Sequence, residues 1–286
     1  MRGAIVAGVT AALLAGAAAT PVLAQGRAAA SSAYRGPRIG GHPDLNGVWQ
    51  TLNGANWNVE PHAASSAPQT RQGPAGPVPA KEIVAAGATL SVPAGMGVVA
   101  GGAIPYKAEA LAKRDDNRAH YLERDPEVKC YLPGVPRANY MGFPFQILQS
   151  DSAVLFNYEY ASAVRNIALK DPGEAPVDSW MGQSWGRWEG DTFVVTVTGL
   201  NDQTWLDRAG NHHSDQLKVV ERYTPVDATH MRYEAEITDP QTYTRPWKME
   251  MTLYRRVGAD ARLQQFKCVE FVEELMYGNL RKNPLK

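Results

Sequence analysis

The sequence predicts a mainly β protein, an antiparallel meander closing into a calycin- or lipocalin-like barrel, with an irregular N-terminal segment and short helices. Three observations carry this. From Phe143 onward, apolar and polar residues alternate with period two in run after run, as in strands with one buried face. Turn signals separate the runs, and Glu189-Gly190-Asp191 is the sharpest. Helical composition is confined to one stretch around Lys107–Leu122 and a short tail. About nine or ten consecutive strands leave open edges unless the sheet closes on itself. A barrel of that size has room for a small ligand in its lumen.

Taken in order, residues 1–24 read as a secretory signal peptide. Arg2 gives the positive start, Ala4–Ala19 the apolar stretch, and Val22-Leu23-Ala24 a small-residue cleavage site. The apolar run is short for a spanning helix, so the expected location is the periplasm or the exterior, without membrane insertion after cleavage. Residues 25–42 form an Ala-, Ser-, Arg- and Gly-rich linker, expected to be disordered. Residues 43–142 read as an irregular segment packing on the barrel. It holds a first strand near His42–Gln50, an Ala/Gly/Pro-rich loop over 54–104 that buries little, and the Lys107–Leu122 helix ended by Asp125-Pro126.

Residues 143–286 are the expected barrel domain. Phe145, Ile147 and Gln149 share one face of its first run, and Val154, Phe156, Tyr158 and Tyr160 one face of the next. Arg165–Leu169 follows. Gln183–Trp188 and Thr192–Thr198 then form a hairpin around Gly190. Leu217, Val219, Glu221 and Tyr223 point one way; so do Met231, Tyr233, Ala235 and Ile237, and then Trp247, Met249, Met251 and Leu253. A last strand is expected over Leu263–Val269, and a helical tail over Glu270–Leu280.

With 29 basic and 29 acidic residues, the chain offers no electrostatic case for nucleic acid. Its two cysteines, Cys130 and Cys268, suit a disulfide in an oxidising compartment, and too few thiols are present for a zinc-thiolate site.

The densest cluster of chemistry-bearing side chains lies in the loop after the hairpin, Asn201 to Asp215. His213 stands beside Asp215, with Asp202 and Asp207 upstream. An imidazole near carboxylates can act as an acid or base near neutral pH, and equally as a loop-stabilising group. Glu221 falls on the apolar face of its run, so it needs a partner such as Arg165, Arg187 or Arg245. Either role leaves it a candidate acid or base. Trp205, Trp185, Trp188, Tyr158, Arg165 and Trp247 are candidate ligand-binding side chains, although inward aromatics are more often plain core. Ser184 sits in a Gly-x-Ser-x-Gly context, but a strand running into a β-turn lacks the strand–turn–helix setting of a nucleophile elbow. No cofactor is expected; a metal on His212 and His213 is a minor alternative.

The segments PDLNGVWQ, CYLPGVPR, WMGQSWGRWEGDT, LNDQTWLDRAGNHHSD, ERY and DPQTYTRPW, with the closing Cys-Val-Glu, are similar to a large family of secreted bacterial proteins of unassigned function. The similarity runs from about Pro43 to Glu270. That family usually carries Pro just before the second histidine of the loop, where this chain has His212. The resemblance therefore implies that His213 is the matching position and His212 incidental.

Three functions fit these observations. The first is a small-molecule enzyme using acid–base chemistry, of lyase, isomerase or hydratase type, with His213, Asp207, Asp215, Asp202 and Glu221 around a barrel pocket. The second is a non-catalytic lipocalin-like protein for an apolar or aromatic small molecule. The third is a structural module of the cell envelope. The expected partner is a small molecule; the oligomeric state is open.

Overall fold

In the computed structural model, residues 34–65, 70–72, 77–79 and 92–266 are described, and nine strands among them close into one barrel. In chain order these are β1 (Gly47–Thr51), β2 (Phe145–Gln149), β3 (Val154–Tyr158), β4 (Val164–Ala168) and β5 (Gln183–Glu189). They continue with β6 (Thr192–Thr198), β7 (Lys218–Pro225), β8 (His230–Thr238) and β9 (Trp247–Arg255). Each pairs with its neighbours in sequence, and β9 closes on β1 through Leu253–Thr51, Tyr254–Gln50 and Arg255–Trp49.

The mainly β barrel is as expected, with two corrections. β1 does not merely pack on the barrel; it is the stave that closes it, although the long segment from 52 to 144 separates it from β2. The meander is also not wholly antiparallel, because β4 and β5 run parallel through Ile167–Ser184 and Ala168–Trp185. Parity explains this. Direction reverses at every antiparallel junction, and a closed ring must return to its starting direction. A ring with an odd number of strands therefore needs an odd number of parallel junctions. The connection 169–182 makes the crossover that a parallel pair requires.

The β5–β6 hairpin forms where the sequence places it. Glu189 pairs with Thr192, leaving a two-residue turn in which Gly190 adopts φ 61°. The expected helix is present as α1 (Ala108–Ala119), and a short α2 (Tyr121–Arg124) follows a break at His120, whose φ of −122° is not helical. The expected last strand is not formed over residues 263–266, which are irregular. Its remainder, Cys268, the tail from Glu270 and the signal peptide lie outside the described residues.

Period-two alternation puts Phe145, Ile147, Phe156, Phe193, Val219, Tyr223, Tyr233 and Ala235 fully inside. β3 and β7 stand across the ring from one another, yet the Phe156 and Tyr223 rings meet at 5.2 Å. Tyr223 continues to Tyr233 at 5.1 Å. The inner face of β5 carries Gly186, where a Cβ would fall 2.4 Å from the Phe193 ring. At this level the expected ligand-sized lumen is a packed core, because inward aromatics are bulky enough to meet across it. The outer faces carry charge, as in Lys248–Glu236 between β9 and β8 at 3.1 Å.

Candidate functional site

Two polar assemblies can be built from these elements. The first lies within the barrel. Glu221 of β7 is fully buried, and an unpaired carboxylate there would be very costly. Its Oε1 accepts from Asn139 Nδ2 at 2.7 Å, Tyr233 Oη at 2.8 Å and Tyr223 Oη at 2.9 Å. Its Oε2 pairs with Arg165 Nη2 of β4. Arg165 Nε donates to Ser184 Oγ at 2.7 Å, and Tyr158 Oη donates to Asn139 Oδ1 at 2.9 Å. Burial first, and the Glu221 charge second, raise the hydroxyls of Tyr223 and Tyr233 well above their ordinary value, so both remain donors. Among the described atoms of this network, Arg165 Nη1 has no partner.

The second assembly is the loop between β6 and β7. Asp207 is its keystone. Oδ1 accepts from the backbone N–H of Ala209 at 2.9 Å and of Asn211 at 3.2 Å. Oδ2 accepts from Val59 N–H at 2.8 Å and Asn211 Nδ2 at 2.6 Å. Burial pushes its pKa up to about 6, against the pull of these hydrogen bonds. Helix α1 lies directly on this loop. At Gly210 (φ 85°) a Cβ would sit 2.5 Å from the Arg114 carbonyl oxygen and 2.6 Å from the Arg118 nitrogen, so only glycine allows the approach.

The two adjacent histidines differ in a way that decides their chemistry. His213 Nδ1 faces the Ser214 carbonyl at 2.8 Å and must donate to it, which leaves Nε2 to accept from Thr204 Oγ1 at 2.6 Å. Both nitrogens are occupied. His212 Nε2 faces the Ala110 carbonyl of α1 at 3.0 Å and must donate, while Nδ1 is buried without a hydrogen-bond partner. Burial lowers the pKa of both, so both are neutral at pH 7. Tyr243 Oη holds the His212 carbonyl at 2.7 Å, and Asp239 of the β8 end grips Ser214 through its N–H at 2.7 Å and hydroxyl at 2.8 Å.

His212, His213, Ser214, Asp202 and Asp215 line one cleft of about 310 Å³ together with Glu109 and Lys113 of α1. Three of the five predicted acid–base residues are therefore gathered, with Asp202 and Asp215 exposed. Asp207 and Glu221 are not: each lies fully buried in its own hydrogen-bond network. The predicted aromatic wall is not assembled either. Tyr158 and Arg165 belong to the barrel network. Trp185 lies under Arg187 at 5.4 Å, and Trp188 stacks on His42 at 4.6 Å. Trp247 packs on Tyr243 at 5.5 Å, and Trp205 bridges to His212 through its backbone. Alternation along strands, together with sequence distance, disperses side chains that composition alone groups together.

Sequence reasoning missed Asn139 and the end-cap network below it. Arg137 forks onto Asp125 at 2.7 and 2.9 Å, reaches Glu127 at 2.8 Å, and is 1% exposed. The CYLPGVPR segment marks the arginine, but no local pattern announces its acids. Among the described residues, no group of three or more His, Cys, Asp or Glu is placed to hold a metal. No family model, curated protein or solved structure matches this chain.

Proposed function

We propose that this is a small-molecule enzyme of lyase, isomerase or hydratase type, exported to the periplasm or beyond. In this reading its proton-transfer site is the cleft between α1 and the 201–215 loop. The observation that carries this is the gathering of His212, His213, Asp202 and Asp215 in one cleft, with the His212 ring fixed by the Ala110 carbonyl. A neutral imidazole oriented through its other nitrogen is the arrangement a general base requires. Lys113 is the cation in the same cleft, available to an oxyanion that develops when a proton leaves. His213, with both nitrogens occupied, acts here as a positioning residue. The signal peptide, the Cys130–Cys268 disulfide and kinship with the secreted bacterial family belong to the same proposal.

The test is hydrogen–deuterium exchange at carbon in a panel of small hydroxy and keto acids. His212→Gln keeps a donor for Ala110 but has no basic nitrogen. Wild-type protein should catalyse exchange in at least one compound, and the variant should lose about 100-fold or more. Equal exchange by the variant would remove His212 from the mechanism. Saturable binding without exchange in any compound would favour the non-catalytic carrier, a reading supported by the occupied nitrogens of His213.

A further inference from the structure

Toward the C-terminal end of α1 lies a second cleft, of about 420 Å³, lined by Trp57, His62, Arg118, Tyr121 and Arg208, with Ala63, Ala64, Val92 and Ala209 as apolar wall. We propose that it is a binding site for a small planar aromatic carboxylate. This inference goes beyond the proton-transfer reading and does not depend on it.

The site is built before any ligand arrives. The Arg208 guanidinium lies over the Trp57 ring at 4.4 Å. It is held there by Glu127, whose carboxylate accepts from Nε at 2.7 Å and Nη2 at 2.8 Å. Glu127 is itself anchored by Arg137. The Arg208 backbone N–H donates to the Asn56 carbonyl at 2.9 Å, tying the loop to the segment that carries Trp57. Two flat groups are thus fixed as a platform, and a third flat group stacks on such a platform with little ordering cost.

Charge supplies the sign of the ligand. Arg137 and Arg208 are balanced by Asp125 and Glu127. Arg118 on α1 lines the same cleft, is exposed, and makes no ion pair among the described residues. It is a cation of the cleft wall with no acidic partner of its own, on the side chain whose fork matches a carboxylate. His62 closes one side of the cleft, held by its Nδ1 donating to the Glu60 carbonyl at 2.8 Å. The cleft volume falls in the range of small-molecule sites.

The test uses three probes on the intact protein by calorimetry and protein-observed NMR: 4-hydroxybenzoate, cyclohexanecarboxylate and inorganic phosphate. 4-Hydroxybenzoate should bind saturably, with intermolecular NOEs to the Trp57 ring. It should bind at least tenfold more tightly than cyclohexanecarboxylate, which has the charge without the flat face, or phosphate. Arg118→Gln, an exposed change that leaves the fold intact, should weaken it at least tenfold. The absence of saturable binding would overturn the proposal. So would equal affinity for the three probes, or an Arg118→Gln affinity equal to wild type.

Discussion

Inside the barrel, Glu221 meets donors from β4, β7, β8 and the Asn139 turn, and its oxygens are saturated. Beside α1, Asp202 and Asp215 stand exposed at the rim of a cleft, and His212 keeps a ring nitrogen with no partner. Both regions are rich in acids, bases and aromatic rings. The difference teaches that polarity alone does not mark a working site. A carboxylate met by four donors from separate elements holds staves together; a ring nitrogen buried without a partner beside a cleft does not. By this measure Glu221 is architecture, and the chemistry and binding proposed above lie outside the barrel, in the clefts beside α1.

The comparison breaks most visibly if the barrel network is not structural. Glu221→Leu leaves the Arg165 guanidinium buried and unpaired, and should cost about 3–5 kcal/mol of unfolding free energy. Adding Arg165→Met removes the stranded charge and should recover much of that loss. Denaturant titration of the single and double variants checks this. Equal stability of Glu221→Leu and wild type would mean that the network holds nothing together.

A smaller effect sharpens the contrast on the loop side. The folded-state pKa of His213 is lowered, so the stability linked to its neutral form is present above its ordinary value near 6.5 and is lost as pH falls through the folded value. Asp207 runs the other way. With its pKa raised to about 6, its stabilising contribution is full below its ordinary 3.8 and is lost as pH rises through 6. His213→Gln should therefore flatten the loss of stability on the acid side of pH 6.5 by up to about 1.4 kcal/mol per pH unit. Unfolding curves at pH 7, 6 and 5 read this directly, and a variant slope equal to that of wild type would contradict the buried neutral imidazole.

Much of the fold is legible because it is local. The β5–β6 hairpin follows from Gly190 and the alternation around it, and the inward direction of Glu221 follows from period two alone. Arg165 is among the partners that an inward carboxylate at position 221 calls for. The parallel β4–β5 junction is not legible, since it follows from the parity of a closed ring and not from any residue. Nor is Asn139, which enters the barrel from a short helical turn far along the chain. The histidine pair is the sharpest case. Sequence context favours His213 over His212, yet availability is decided by which carbonyl each ring faces, Ser214 for one and Ala110 on α1 for the other. The second of these contacts exists only after α1 has packed on Gly210.

Those two rings also give the most direct test. Long-range ¹⁵N–¹H correlation of the imidazoles at pH 7 should show opposite neutral tautomers. His213 should carry its proton on Nδ1 with a hydrogen-bonded Nε2, and His212 on Nε2 with an Nδ1 that has the shift of a nitrogen making no hydrogen bond. Matching tautomers, an imidazolium at His212, or a hydrogen-bonded Nδ1 there would contradict the placement of the available base beside α1.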